Sequence, residues 1–184
     1  MSTKKELRQV MKARLAAVMP AEREAKSLSA CAKLLIINEF QQAKIVAFFV
    51  SMPEELDTRP MILAALKAGK KVLVPRTDLS KKTLTFYEIR DLTADLEPGT
   101  LGILEPIPSR TRIGSAAEAD CVFVPGLVFS DDNHRIGFGA GLYDRFLSTL
   151  KPGVPCIGLG FSFQKMASVP VESHDVRLDF VLTD

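Results

Sequence analysis

The sequence predicts a three-layer α/β/α fold with a mostly parallel central sheet and an N-terminal helical hairpin, and three observations carry that prediction. Two amphipathic helical patterns precede any strand. Uninterrupted apolar runs such as Ile45-Val46-Ala47-Phe48-Phe49-Val50 and Cys121-Val122-Phe123-Val124-Pro125 then recur, the pattern of strands covered on both faces. A helical segment separates the first such run from the next, as in a β-α-β unit. With 184 residues, 47% of them hydrophobic, the chain can bury one good core, and residues 1–184 are expected to form a single α/β domain.

Thr3 can cap a first helix running to about Val18, with Leu7, Met11 and Leu15 as its apolar stripe and a basic opposite face. Pro20, a favoured first helical residue, begins a second helix that reaches about Ile37 with Leu28, Cys31, Leu34 and Leu35 turned inward. After the strand at 45–50, Asp57 or Thr58 starts the next helix. Pro60 lies in its first turn, Met61, Leu63, Ala64 and Leu66 lie inside, and Gly69 marks its end. Lys71 to Pro75 reads as a second parallel strand, which completes the β-α-β unit with an expected right-handed crossover. Thr83 to Ile89 alternates, as a half-exposed antiparallel edge strand does.

From Glu97 to Arg112, Pro98, Gly99, Gly102, Pro106 and Pro108 punctuate what reads as a long loop, either connective or functional. Cys121 to Pro125 restores the buried-strand pattern, and Ser130-Asp131-Asp132-Asn133-His134 turns the chain into a glycine-rich loop. A helix from about Gly141 to Leu150, a strand at Pro155–Leu159 and a terminal strand at Asp179–Thr183 complete the order. No internal repeat or low-complexity segment interrupts it.

A net charge of +2, from 24 basic and 22 acidic residues, gives no broad basic face for nucleic acid, so any anion site must be local. Cys31, Cys121 and Cys156 are odd in number and contain no CxxC pair. They read as small buried thiols in a reducing compartment rather than a zinc site or disulfide framework. Glu6, Arg8, Gln9 and Lys12 break the N-terminal apolar pattern, which excludes a signal peptide. No run approaches the roughly 20 apolar residues of a membrane helix. A soluble, cytoplasmic protein with no membrane partner, monomeric or weakly dimeric, is expected.

The segment Arg135-Ile136-Gly137-Phe138-Gly139-Ala140-Gly141-Leu142-Tyr143-Asp144 places three alternate glycines between a buried strand and a helix. Glycine admits positive φ and lets backbone N–H groups converge on an anion, so the loop reads as a phosphate cradle, with a plain structural turn as the other reading. Its G-x-G-x-G spacing is not the dinucleotide fingerprint, and no P-loop occurs. Arg135 can donate paired hydrogen bonds to phosphate, and Asp144 can hold Mg²⁺ or cap the helix. Tyr143 can stack on a heterocycle or pack beneath the loop.

Glu55, after the first buried strand, falls where ligands of open α/β sheets collect, and it suits an amide-like or guanidine-like donor edge; Glu54, Glu55 and Asp57 equally favour the next helix dipole. His134 and His174 have no ligand or triad spacing around them and read as surface residues. No nucleophile elbow or paired-carboxylate signature is present.

Four separated segments together resemble the 5-formyltetrahydrofolate cyclo-ligase, or methenyltetrahydrofolate synthetase, family. They are Lys4-x-x-x-Arg8, Ser51-Met52-Pro53-Glu54-Glu55 with Asp57-Thr58, the Arg135–Asp144 loop, and His174-Asp175-Val176 with Asp179. The resemblance implies ATP- and Mg²⁺-dependent conversion of 5-formyltetrahydrofolate to 5,10-methenyltetrahydrofolate, ADP and phosphate. It implies that Lys4, Arg8, Arg76 and the loop from Arg135 through Ile136, Gly137, Phe138, Gly139, Ala140, Gly141 and Leu142 to Tyr143 bind ATP. Arg135, Lys4 and Arg8 carry catalysis on this reading. Val50, Glu55 and the loop residues Phe138 to Leu142 resemble the folate contacts, and Asp144 and Asp179 the magnesium ligands. Ala140 stands where the family commonly has glycine or lysine, and Leu142 where it commonly has an aromatic residue. Ala140 would restrict the backbone if its φ were positive.

The implied chemistry needs no protein nucleophile. ATP phosphorylates the oxygen of an unreactive formyl amide, and the second folate nitrogen then attacks and closes the ring. Positioning and charge neutralisation suffice for phosphoryl transfer. The other classes compatible with the residues are a nucleotide- or sugar-phosphate-binding regulatory module without turnover, and an ATP-dependent ligase or kinase for another small carboxylated metabolite.

Overall fold

The computed structural model describes residues 3–184. Thr3 caps helix α1 (Lys4–Ala16) reciprocally: its Oγ1 accepts from the Glu6 N–H at 3.2 Å, and its own N–H donates to Glu6 Oε2 at 2.7 Å. This capping box satisfies donors that a helix start leaves open. Pro20 opens α2 (Pro20–Ile36), and a short α3 (Asn38–Gln42) follows. The buried stripe of α2 is Ser27, Ala30, Cys31 and Leu34. Leu28 and Leu35, expected inward, are 53% and 38% exposed, because each lies one residue past a buried position and so about 100° around the helix.

The chain continues through β1 (Ile45–Ala47), α4 (Arg59–Lys67), β2 (Lys71–Asp78), β3 (Thr83–Ile89), β4 (Leu96–Pro98), β5 (Leu104–Pro106) and β6 (Arg112–Ile113). It then forms β7 (Cys121–Pro125), β8 (Val128–Ser130), β9 (Arg135–Ile136), α5 (Leu142–Leu147), β10 (Cys156–Gly160), β11 (Lys165–Met166) and β12 (Phe180–Thr183). Seven strands make the main sheet in the order β12-β10-β7-β1-β2-β3-β6. The five from β12 to β2 are parallel, and β3 and β6 add an antiparallel edge.

Alternation along the strands divides the core. Val46, Val72 and Phe123 pack with residues of α1, α2 and α4. Ala47, Leu73 and Val122 pack with Phe146 and Leu147 of α5. Helices therefore cover both faces, as two-sided burial of parallel strands requires. On α4 the buried residues are Met61, Ile62 and Ala65, while Leu63, expected inside, is exposed. The two N-terminal helices follow one another as expected but diverge in their partners: α2 lies against α4 and β12, and α1 approaches β8.

The stretch expected to be a long loop at 97–112 holds more structure. β4 and β5 form an antiparallel ribbon, Leu96 opposite Pro106 and Pro98 opposite Leu104, and β6 pairs with β3. Proline is tolerated here because a two-stranded ribbon is all edge. A second small sheet, β11-β8-β9, also escapes the sequence reading. Phe129 of β8 is fully buried on Gly158 and Gly160, where an added Cβ would lie 2.7 Å from its ring. Antiparallel pairing sets Phe129 opposite Arg135, so the seat of Phe129 on β10 also fixes Arg135. Among the described residues, no helix is long and apolar enough to cross a membrane.

Candidate active site

The carboxyl ends of β1, β2 and β7 open into a cleft of about 730 Å³, roofed by α1, the β4–β5 ribbon and the glycine loop. Ligands collect at this end of parallel sheets because the connections leave a crevice there. Helix α1 presents Lys4, Arg8 and Lys12 to it, a row fixed by their four-residue spacing.

At one end, charged groups hold one another. Lys4 Nζ donates to Asp175 Oδ2 at 2.6 Å and to Glu172 Oε2 at 2.9 Å. Burial by itself would raise the Asp175 carboxyl, but the Lys4 bond and the Glu172 N–H outweigh it and hold the group below its ordinary value. Arg8 Nε donates to the Gly137 carbonyl at 2.8 Å. Arg135, 5% exposed, donates through Nη2 to Asp144 Oδ1 at 2.8 Å. The same oxygen accepts the Val176 N–H at 3.4 Å, so Asp144 and the 175–176 segment abut. Arg135 Nε is buried with no partner among the described residues.

The loop's left-handed positions fall on Gly139 and Gly141, with φ of +111° and +66°. Ala140 between them is not among the positive-φ residues, so the methyl group strains nothing. Phe138 and Ala140 are exposed, and Leu142 lines the cleft beside them.

At the other end lie Val50, Glu55 and Tyr143. Glu55 is 8% exposed, and its Oε2 accepts the Met52 N–H at 2.8 Å. Burial pushes its carboxyl up to about 7, against the lowering effect of that one bond, and Glu54 adds to the rise. Tyr143 packs edge-on to Phe146 at 6.1 Å and lies under Arg135, whose Cζ is 5.8 Å from the ring centroid. Its hydroxyl is buried and unpartnered among the described residues. Burial first, and then the neighbouring Glu55 charge, raise the phenol, so Tyr143 is a neutral donor.

Lys4, Arg8, Val50, Glu55 and every residue from Arg135 to Asp144 thus meet in one cleft. Two expected members do not join them. Arg76 Nη1 donates to Glu97 Oε1 at 3.0 Å and to the Pro106 carbonyl at 2.7 Å, whereas Pro75 and Thr77 line the cleft. Strand alternation explains this, since 76 faces away from the side that 75 and 77 share. Asp179 Oδ2 accepts the Cys156 N–H at 2.7 Å at the amino end of β10 and β12, the end of the sheet away from the cleft.

What abuts Asp144 is not Asp179 but the 175–176 segment, through the Val176 N–H, and Asp175 lines the same cleft within the His174-Asp175-Val176 segment already conspicuous in the sequence. Lys12, Glu105 and Glu172 also line the cleft without having been singled out. Glu105 is buried and accepts the Thr77 N–H at 3.1 Å. His174 is exposed, as expected, but belongs to the same rim. The three cysteines are buried and free.

Comparison with known proteins agrees with this architecture. The 5-formyltetrahydrofolate cyclo-ligase family model matches residues 1–184. A probable 5-formyltetrahydrofolate cyclo-ligase of Caenorhabditis elegans is 32% identical over 188 residues, covering 97% of this chain and 91% of that protein. The Mus musculus 5-formyltetrahydrofolate cyclo-ligase is 31% identical, covering 98% of this chain and 93% of its own. The NMR structure of Aquifex aeolicus 5,10-methenyltetrahydrofolate synthetase superposes with a TM-score of 0.84 at 28% identity, covering 97% of this chain and 88% of that one.

Proposed function

The chain belongs to the 5-formyltetrahydrofolate cyclo-ligase family, whose activity is the ATP-dependent conversion of 5-formyltetrahydrofolate to 5,10-methenyltetrahydrofolate, and we propose that the cleft under α1 carries it out. The observation that carries this assignment is Arg135: a buried guanidinium, with one N–H unpartnered, held beside a glycine loop and two further cations in a single cleft. Such an arrangement is complementary to a phosphoryl group.

Arg135, Lys4 and Arg8 neutralise the charge of the transferring phosphoryl group, and the backbone of Gly137 to Gly141 approaches the phosphates. The formyl oxygen accepts the phosphoryl group and later leaves as phosphate, after the second folate nitrogen has bonded to the formyl carbon. Glu55 receives the donor edge of the pterin, beside Val50, and Tyr143 offers its hydroxyl to the ligand at the cleft floor. Each buried unsatisfied polar atom costs about 1 to 3 kcal/mol, which a ligand that pairs with it recovers.

Asp144 and Asp175 suit Mg²⁺, because magnesium is typically held by one or two carboxylates together with substrate phosphates. When bound, the ion would add positive charge next to the phosphates. Asp179 is not part of this set, as its carboxylate caps a strand. Lys4 shares Asp175, and it would exchange that partner for phosphate if the carboxylate held the ion. The chain is taken to work in the cytoplasm as a monomer or weak dimer without nucleic acid, a reading supported by its balanced charge and free thiols.

The direct test follows the absorbance of the methenyl product from 5-formyltetrahydrofolate with ATP and Mg²⁺. Product formation that depends on ATP is expected. No product in its presence overturns the assignment.

A further inference from the structure

The loop that carries Glu55 is closed twice. At its tip the Met52 N–H donates to Glu55 Oε2 at 2.8 Å, and the Glu55 N–H donates back to the Met52 carbonyl at 3.1 Å. At its neck the Ser51 N–H donates to Thr58 Oγ1 and the Thr58 N–H to Ser51 Oγ, both at 3.2 Å. The Thr58 hydroxyl in turn donates to the Phe49 carbonyl at 2.8 Å. A third tie comes from outside the loop, where the Asp57 N–H donates to Ser27 Oγ of α2 at 2.9 Å. Thr58 and Ser27 are buried, so water does not compete for these bonds.

Thr58 occupies the N-cap of α4, where a threonine ordinarily accepts an N–H of its own helix. It makes no such bond. Asp57 caps instead, its Oδ1 accepting the Arg59 N–H at 2.9 Å, and the Thr58 hydroxyl is turned back across the loop. Ser27 is likewise a polar residue in the buried stripe of α2, and its hydroxyl also donates to the Arg23 carbonyl at 2.7 Å. Val50, Met52, Glu54 and Glu55 line the cleft, whereas Ser51 and Thr58 stand behind it. Resting on the folate reading above, we infer that Thr58 is a positioning residue for Glu55: the Ser51–Thr58 clasp, braced by Ser27, sets the loop so that the carboxylate meets the donor edge of the pterin. Glu55 has one backbone bond of its own, so its placement depends on the loop, and a binding group must be held within about 0.5 Å of the productive geometry by its supporting bonds.

The experiment measures KM for 5-formyltetrahydrofolate and for ATP in wild type, Thr58→Val, Thr58→Ser, Glu55→Gln and the Thr58→Val/Glu55→Gln double variant. Valine keeps the shape and removes the hydroxyl, and serine restores it. For Thr58→Val, the expected result is an about tenfold rise in KM for the folate, about 1.4 kcal/mol, with KM for ATP within about twofold of wild type. Thr58→Ser recovers most of the loss. The double variant has a folate KM no higher than Glu55→Gln alone, because a residue that acts through Glu55 then has nothing left to position. Ser51→Ala breaks the other half of the clasp at a half-buried position and gives the same pattern, which carries the test should Thr58→Val not fold. Equal rises in both KM values, additive losses in the double variant, or an unchanged folate KM overturn the inference and leave the clasp to the fold alone. Absence of turnover in the wild-type protein would instead strike the cyclo-ligase reading itself, so the two failures are distinguishable.

Discussion

The two ends of the cleft handle buried charge in opposite ways. At the end proposed for phosphate, Lys4 is matched by Asp175 and Glu172, and Arg135 by Asp144, at 2.6 to 2.9 Å. At the end proposed for the pterin, Glu55 has a single backbone donor, and the Tyr143 hydroxyl has no partner among the described residues. The paired end keeps its cations in place without ligand, and on the proposed function they would exchange partners for phosphate. The unpaired end stores a desolvation penalty that only a complementary ligand relieves. One cleft thus combines a pre-neutralised anion site with an unsatisfied polar floor.

The most severe way to break this contrast is Arg135→Ala, which removes the cation that touches both ends. We expect a loss of about 2 to 4 kcal/mol in transition-state stabilisation, thirtyfold to a thousandfold in kcat, by analogy with deletion of one oxyanion donor. Steady-state rates on protein with a native circular dichroism spectrum check it, and activity within threefold of wild type would sink the role.

Glu55 sharpens the other side. Its carboxyl lies at about 7 in the folded protein and about 4.3 in an unfolded chain. A raised value means that the protonated form stabilises the fold: this contribution is complete below about pH 4 and is lost as pH rises through 7, an effect of about 4 kcal/mol. Glu55→Gln should therefore gain stability relative to wild type between pH 5 and pH 8, while folate binding weakens and ATP binding persists. Urea unfolding of both proteins at the two pH values measures the gap; a constant gap rejects the unsatisfied-carboxyl account.

Asp175→Asn and Asp179→Asn separate the two carboxylates. The first should raise the Mg²⁺ needed for half-maximal rate about tenfold, about 1.4 kcal/mol. The second should lower the melting temperature and leave the magnesium titration where it was. The reverse pattern would return the metal to Asp179.

Smallest in stability is Tyr143→Phe, which deletes an orphan hydroxyl. Thermal stability should stay level or rise by up to about 1 kcal/mol, because no hydrogen bond is lost in the free protein. Turnover should nonetheless fall, and a destabilised variant with full activity would show that the hydroxyl serves the fold alone.

Much of this protein was legible before its structure. Thr3 announced the N-cap of α1, Pro20 the start of α2, and the apolar runs the parallel strands, since each signal acts within a few residues of itself. The glycine loop was equally local, and its two left-handed positions fall on glycines, which leaves Ala140 harmless. The ribbon at 96–106 was not legible, because its prolines and glycines mark chain reversal as readily as a loop.

By itself, the sequence determined the order of the main helices and parallel strands, the two-sided cover of those strands and the residue types available for an anion site. Tertiary structure decided which of those residues meet. Arg76 was lost to the cleft by strand parity, and Asp175 rather than Asp179 shares the cleft with Asp144 because β12 begins at the far end of the sheet. Lys12 joined Lys4 and Arg8 on one wall only when α1 was laid along the cleft. Periodicity and capping depend on neighbours in the chain, whereas the company a charge keeps depends on how strands are stacked, and four residues along an extended segment span about 13 Å.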